Sequence, residues 1–352
     1  MYCVLILILV AASSGYSQSG RVKPAETPSP TLRPTPRTPV VVGPTKPTDE
    51  GPHPLPTPPV KTGEEEVIRV ASSLVPIPAI VLDGNGRSMT KLKLEDFQLK
   101  VDGKLVEIGE LSRSDAPVRL ALLFDNSSSV AIARDFEIKA AIRFFERMVR
   151  PEKDLAALFS VATASRLEHP LTNDVSSLTR AILSFPPPVG ATALFDGLVK
   201  AGQYLGEVNG RRVIVIVSDG DDTYSEATLD QVIRSLHFSN CQVYVVKTTD
   251  FENFIRTRSR IGNANIRQLA AERRMIEIAN QTGGRVFSPI DEKELDEAFR
   301  QISTELSDQY VLSYYPDPES EKRGEFRQIE LMIKDRPELE VRTRRGYLVP
   351  RK

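Results

Sequence analysis

The sequence predicts an α/β protein: a doubly wound, mostly parallel sheet with a small flanking β module built from both ends of the folded region. Three observations carry this. Between residues 118 and 308, runs that are apolar throughout alternate with amphipathic stretches, as expected of strands buried on both faces and covered by helices. On either side the pattern turns to short strand-like runs with hairpin dipeptides. Residues 21–63 hold 13 of the 26 prolines and can join neither part, because proline fixes φ and lacks an amide donor.

Residues 1–20 (MYCVLILILVAASSGYSQSG) read as a secretory signal peptide. A short apolar run precedes small and polar residues, with cleavage expected after Ser14 or Ser17, although no Lys or Arg stands before the run. The apolar stretch Val4 to Ala12 is far short of the ~20 residues that span a bilayer, so no transmembrane segment is expected after cleavage. The predicted location is secreted, periplasmic or cell-envelope. Residues 21–63 then form a Pro/Thr-rich disordered spacer.

Residues 64–117 carry β signals, with turns at Asp83-Gly84-Asn85-Gly86 and Asp102-Gly103. Strand runs in the central region, 118–309, are RLALLFD (119–125), DLAALFSVA (154–162), RRVIVIVSD (211–219), CQVYVVKT (241–248) and RVFSPI (285–290). Between them, Phe136, Ala140, Phe144 and Met148 make one apolar stripe, and Leu295, Phe299, Ile302 and Leu306 another. Residues 310–352 return to β. The two flanks each lack sufficient core and are expected to pair with each other in one small sheet.

Composition excludes several classes. Lys+Arg 46 against Asp+Glu 47 gives a net charge of −1, which disfavours nucleic-acid binding by bulk charge. Two cysteines, Cys3 and Cys241, exclude a disulfide scaffold, and Cys241 is expected to be a buried free thiol. Three histidines leave little room for a histidine-rich metal centre.

Ligands of an open parallel sheet bind beyond the carboxyl ends of its strands. The residues following the strand runs are Asp125-Asn126-Ser127-Ser128-Ser129 and Ser218-Asp219-Gly220-Asp221-Asp222, and a third oxygen-rich loop, Gly190 to Asp196, opens a helix. Hydroxyls with few carboxylates suit a hard cation, Mg2+ or Mn2+, with Ca2+ also an oxygen-ligand ion. Each residue alone would read as a helix cap: Asn126 or Ser127 for a helix over 130–149, Thr192 for one over 193–208, and Asp222 for a turn. Asp221 and Asp222 read as solvent-facing loop charges.

Asp125-x-Ser127-x-Ser129, Thr192 within Gly-Ala-Thr-Ala-Leu, and Asp219 within Ser-Asp-Gly together resemble the metal-ion-dependent adhesion site of von Willebrand factor type A (VWA) domains. The flanks LKLEDFQLKVDGKLVEI and QYVLSYYPD resemble those of a secreted bacterial subset, the VWFA-related Acidobacterial domains. The resemblance implies that Ser127, Ser129 and Thr192 touch the metal through hydroxyls, with Asp125 and Asp219 acting nearby, largely through water. It implies a protein partner that supplies an Asp or Glu carboxylate. The chain departs from the subset in having Ser128 and Ala191 where glycine is usual.

The expected function is therefore metal-dependent protein binding, not catalysis. One alternative is a structural envelope protein with a non-functional metal site. Another is a Mg2+-dependent phosphatase-like hydrolase, disfavoured because the second Asp of such enzymes would fall at Ser127. Six arginines between 250 and 274 include Arg256, Arg258 and Arg260; the stretch reads first as a solvated loop and helix face, and alternatively as a basic rim that draws an acidic partner to the metal.

Overall fold

The computed structural model describes residues 74–113, 116–260, 265–317 and 322–349, all within one compact unit, Ile68–Lys352. The signal peptide and the spacer expected over 1–63 lie outside the described residues. In chain order, β1 (Val75–Leu82), β2 (Phe97–Val101), β3 (Lys104–Val106) and β4 (Glu110–Arg113) come first. The α/β region holds β5 (Val118–Asp125), α1 (Arg134–Met148), β6 (Leu155–Val161), β7 (Arg166–Thr172), α2 (Val175–Leu183) and α3 (Leu194–Gly206). It continues through β8 (Arg211–Ser218), α4 (Leu229–Ser239), β9 (Cys241–Lys247), α5 (Thr249–Thr257), α6 (Ile266–Thr282), β10 (Val286–Phe287) and α7 (Glu292–Asp308). The chain closes with β11 (Tyr310–Tyr314), β12 (Phe326–Ile333), β13 (Glu340–Thr343) and β14 (Gly346–Leu348).

Six strands form the central sheet in the order β10-β9-β8-β5-β6-β7, parallel except for β7. β5 and β8 alternate their apolar side chains between two helical layers. Leu120, Leu122 and Phe124 pack with α1, α2 and α7, whereas Ala121, Leu123, Ile214 and Ile216 pack with α3, α4 and α6. Both faces are thereby sealed, which is why these strands read as unbroken apolar runs. β7 carried no such signal: it is an edge strand whose residues, RLEHPLT, are mostly exposed, with Pro170 among them.

The flanks form two four-stranded sheets, not one. Their orders are β13-β1-β11-β4 and β14-β12-β2-β3, so each sheet mixes strands from both ends of the folded region. One apolar cluster joins them, with Ile77, Ala79 and Leu312 from one sheet and Leu99, Ile329 and Leu331 from the other. Phe97 meets Tyr310 edge-on at 5.4 Å. The difference from a single sheet has a simple cause. These strands are apolar on one face only, and that face needs a cover, which a second sheet supplies. β1 accommodates Pro76 and Pro78 because β11 pairs it there on one side, while β13 joins only from Ala79 onward.

Candidate metal centre

β5 lies in the middle of the central sheet. The chain leaves it toward β6 on one side and returns through β8 on the other, so the carboxyl ends of β5 and β8 flank the point where strand order reverses. Asp125 is the last residue of β5 and is 1% exposed. Its two oxygens are both held: the Ser127 amide donates to Oδ1 at 2.9 Å, and the Ser218 hydroxyl donates to Oδ2 at 2.5 Å. The Ser127 and Ser129 hydroxyls are 3.0 Å apart, and Ser129 hydrogen-bonds the Asp219 carboxylate. These contacts tie four of the five expected site residues into one connected set.

Thr192 is brought in by its backbone. The Ser128 amide donates to the Gly190 carbonyl at 3.1 Å, and the Val189 amide donates to the Asn126 carbonyl at 3.0 Å, so the two loops are clamped together. Gly190 has φ of 87°, and a Cβ there would collide with the Thr163 hydroxyl, so this close approach requires glycine. Thr192 donates its amide to the Thr223 hydroxyl and accepts from the Thr223 and Tyr224 amides, which fixes it beside the loop that carries Asp219.

None of Asn126, Ser127 and Thr192 acts as a helix cap. α1 starts at Arg134 after Ala133, and Ser127 precedes only the short 3-10 turn Ser128–Ile132, without a side-chain cap bond. α3 begins after Ala193, with no bond from Thr192; its Phe195 amide donates instead to Asp222 Oδ1 at 3.1 Å. The hydroxyls of Ser127 and Thr192 are thus not consumed in capping, which removes the commonest structural reason for their presence.

The electrostatics fit a cation. Burial, and after it the charge of Asp219, push the Asp125 carboxyl up to about 7, and burial also raises Asp219. A buried and a half-buried acid close together resist joint ionisation, and a divalent cation between them reverses that preference. Among the described residues, no three of His, Cys, Asp and Glu gather as a metal-holding group. The set that converges here is hydroxyls with two carboxylates, a donor chemistry suited to Mg2+ or Mn2+ and not to a soft metal. Because binding must displace the Asp125 proton below about pH 7, Mg2+ affinity should fall by about tenfold per pH unit under that value. Calorimetry between about pH 5.5 and pH 7.5 reads this, and affinity that does not change with pH would contradict the role given to Asp125.

Several residues at the site carried no signal in the motif. Glu137 of α1 is fully buried; one oxygen accepts from the Thr248 hydroxyl at 3.0 Å and Oε2 has no partner. Burial, then the charge of Asp125, hold it well above the usual carboxylate range. Glu252 of α5 is similarly buried and is pushed up to about 7, again by burial and then by Asp219. Glu137 could have been found, since it stands with Ala141, Phe144 and Met148 at helical spacing on the buried stripe.

Asp221 and Asp222 are not solvent-facing charges. Asp221 pairs with Arg267 and, at 3.5 Å, with Arg274 of α6. Asp222 caps α3 from the neighbouring loop and accepts from the Ser225 hydroxyl at 2.5 Å. Both anchor the loop that presents Asp219. Arg256 and Arg260 lie toward and beyond the far end of α5, paired with Glu252 and Glu294 respectively, and Arg258 ends that helix in a left-handed conformation.

Residues 120–221 match the family described as von Willebrand factor type A domain. The match spans 102 of the 352 residues. Among solved structures, the α/β region is similar to BatB from Bacteroides thetaiotaomicron, with 18% identity, 53% of this chain and 97% of that chain covered, and a TM-score of 0.42. It is also similar to the SpRpn10 VWA domain, at 18% identity, 53% and 95% coverage, and a TM-score of 0.40. A third is proximal thread matrix protein 1 from the mussel byssus with a zinc occupied MIDAS motif, at 14% identity, 57% and 48% coverage, and a TM-score of 0.43. A search of curated proteins found no match. Among the described residues, no helix is long and apolar enough to cross a membrane.

Proposed function

We propose that the VWA domain is a metal-ion-dependent protein-binding module, exported by the segment at 1–20 and carried on the proline-rich spacer. The observation that carries this reading is the convergence of one buried and one half-buried carboxylate with three hydroxyls that cap no helix at the crevice between β5 and β8. Ser127, Ser129 and Thr192 would hold Mg2+ or Mn2+ through their hydroxyls, with Asp125 and Asp219 balancing its charge behind them. A cation held mainly by neutral oxygens keeps positive charge with which to attract an Asp or Glu carboxylate from a partner. Ser218 and the Ser127 amide keep Asp125 oriented, so that it supports the hydroxyls without competing with the incoming carboxylate.

Three exposed apolar side chains surround these loops: Ile132, Val189 and Tyr224, the last two 66% and 60% exposed. Each lies within three to five residues of a site residue on the same loop, so the partner carboxylate is best flanked by apolar residues. Arg256, Arg258 and Arg260 would act at longer range, as charges that speed encounter with an acidic partner.

The test is recovery of partners from the source's envelope fraction by the immobilised chain, with and without EDTA. The reading predicts a partner that EDTA releases and that Mg2+ or Mn2+ restores, with a loss of about a hundredfold or more in affinity without metal. A partner fully retained in EDTA would move the interaction to the β module and make the chain a structural protein.

A further inference from the structure

At the opposite end of the central sheet a cavity of about 230 Å3 opens where the first residues of β8 and β9 meet the β module. Pro76, Pro78, Leu236 and Val311 give it apolar walls, and Arg212, His237 and Arg344 bring polar groups to it. Arg344, which follows β13, is 6% exposed. Its Nη1 donates to Asn240 Oδ1 and its Nη2 to the Pro76 carbonyl, both at 2.6 Å, while Nε has no partner. No carboxylate acts on this guanidinium. Burial, relieved only by Tyr347, lowers it to about 10, and the Tyr347 ring is 5.9 Å away, a weak counterpart. Arg212 also spends its donors on carbonyl oxygens, those of Val208 and Ser239.

The two bonds of Arg344 tie the end of α4 to β1, and so explain Nη1 and Nη2. They do not explain a buried charge left without a counter-ion, which a fold tolerates poorly. His237 is 5% exposed. Burial and the Arg344 charge push its ring down to about 4, so it is neutral at neutral pH, and the ring is hydrogen-bonded to Gln281 and to the Gly346 backbone.

We propose that this junction cavity binds a small carboxylate with an apolar body. Arg344 Nε has no partner, and its guanidinium has no counter-ion at this cavity. A carboxylate brings one negative charge and an apolar body to match this cation and these walls, whereas the additional oxygens of a phosphate would go unsatisfied among them. The volume is below that of pockets for drug-sized ligands, roughly 300–1,000 Å3, which limits the occupant to a few carbon atoms beyond the carboxylate. The site is separate from the metal centre: β8 runs the length of the sheet between them, about 25 Å at ~3.3 Å per residue.

The experiment is calorimetric titration of the full chain in excess EDTA, so that carboxylate binding at the metal centre does not contribute. The probes are acetate, butyrate, benzoate and inorganic phosphate, with benzamide as the uncharged counterpart of benzoate. Butyrate or benzoate should bind one per chain, at least about tenfold more tightly than acetate, phosphate or benzamide. Arg344→Met should abolish this binding, and Asp125→Asn should leave it unchanged. If Arg344→Met fails to fold, Val311→Phe, which fills the cavity and keeps the cation, should reduce affinity by at least about tenfold. Absence of saturable binding by every carboxylate at millimolar concentration overturns the proposal. So does benzamide binding as tightly as benzoate, phosphate outcompeting both, or binding unaffected by Val311→Phe.

Discussion

In the Asp125→Asn chain, added Mg2+ leaves the thermal midpoint where it stands in EDTA, whereas the parent is stabilised. A ligand present at a hundred times its dissociation constant contributes about 2.7 kcal/mol, or roughly 5–10 °C for a domain of this size. Asn keeps the shape of the side chain and the bond from the Ser127 amide, and its amide can donate to the Ser218 hydroxyl. The fold should therefore survive. The apo protein should even gain from the change at neutral pH. Asp125 has a folded pKa near 7, above its ordinary value of 3.8. The unfolded chain thus loses this proton first, and native stability declines as pH rises from about 4 to about 7 and then levels. Removing the carboxylate removes that decline. Thermal melts in EDTA at pH values across this window check the sign. Unfolding of Asp125→Asn, or an undiminished metal response, would contradict the assignment.

A fragment of residues 117–309 should be markedly less stable and less soluble than residues 64–352. It keeps both helical layers of the α/β unit and loses the whole apolar cluster of the β module. The fragment also loses Arg342 of β13 as the partner of Glu305 of α7, keeping only Arg285 at 3.9 Å, and exposes the face of the α/β unit that the module covers. With about 2–4 °C per kcal/mol for a domain of this size, the loss of a few kcal/mol should lower the midpoint by roughly 5–10 °C. Equal stability of the two chains would show the flanks to be independent of the α/β unit.

The central strands, and the loops that carry the five oxygen-bearing residues, were legible because the signals are local. Apolar runs such as RVIVIV need no partner to be recognised, and Asp125-x-Ser127-x-Ser129 is a spacing within one loop. What escaped depends on contacts distant in sequence. β7 is defined by its edge pairing with β6, and its exposed, proline-containing sequence shows no alternation. Asp222 looked like a loop charge because the helix it caps begins 28 residues earlier, at Leu194. Glu137 escaped because an acid on an amphipathic helix normally faces water, although its spacing from Ala141, Phe144 and Met148 puts it on the buried stripe. The pairing of the two flanks was expected, but not its division into two sheets, because short one-sided apolar strands do not show in sequence which sheet each joins.

The departures at Ser128 and Ala191 also resolve. Ser128 is exposed and uses its amide to hold the Gly190 carbonyl, a bond available to any residue other than proline. Ala191 donates its amide to the Thr163 hydroxyl at 3.2 Å. The position that demands glycine is Gly190, and glycine is present.

The central claim is that Asp125, Ser127, Ser129, Thr192 and Asp219 together hold one divalent cation. Calorimetric titration of Mg2+ and Mn2+ into metal-stripped chain at neutral pH tests it most directly, with Asp219→Asn and Thr192→Val titrated alongside. The account predicts one cation per chain, released protons as Asp125 ionises, and loss of binding in both variants while their circular dichroism matches the parent. Absence of saturable metal binding by the parent, or binding that both variants retain, would contradict it.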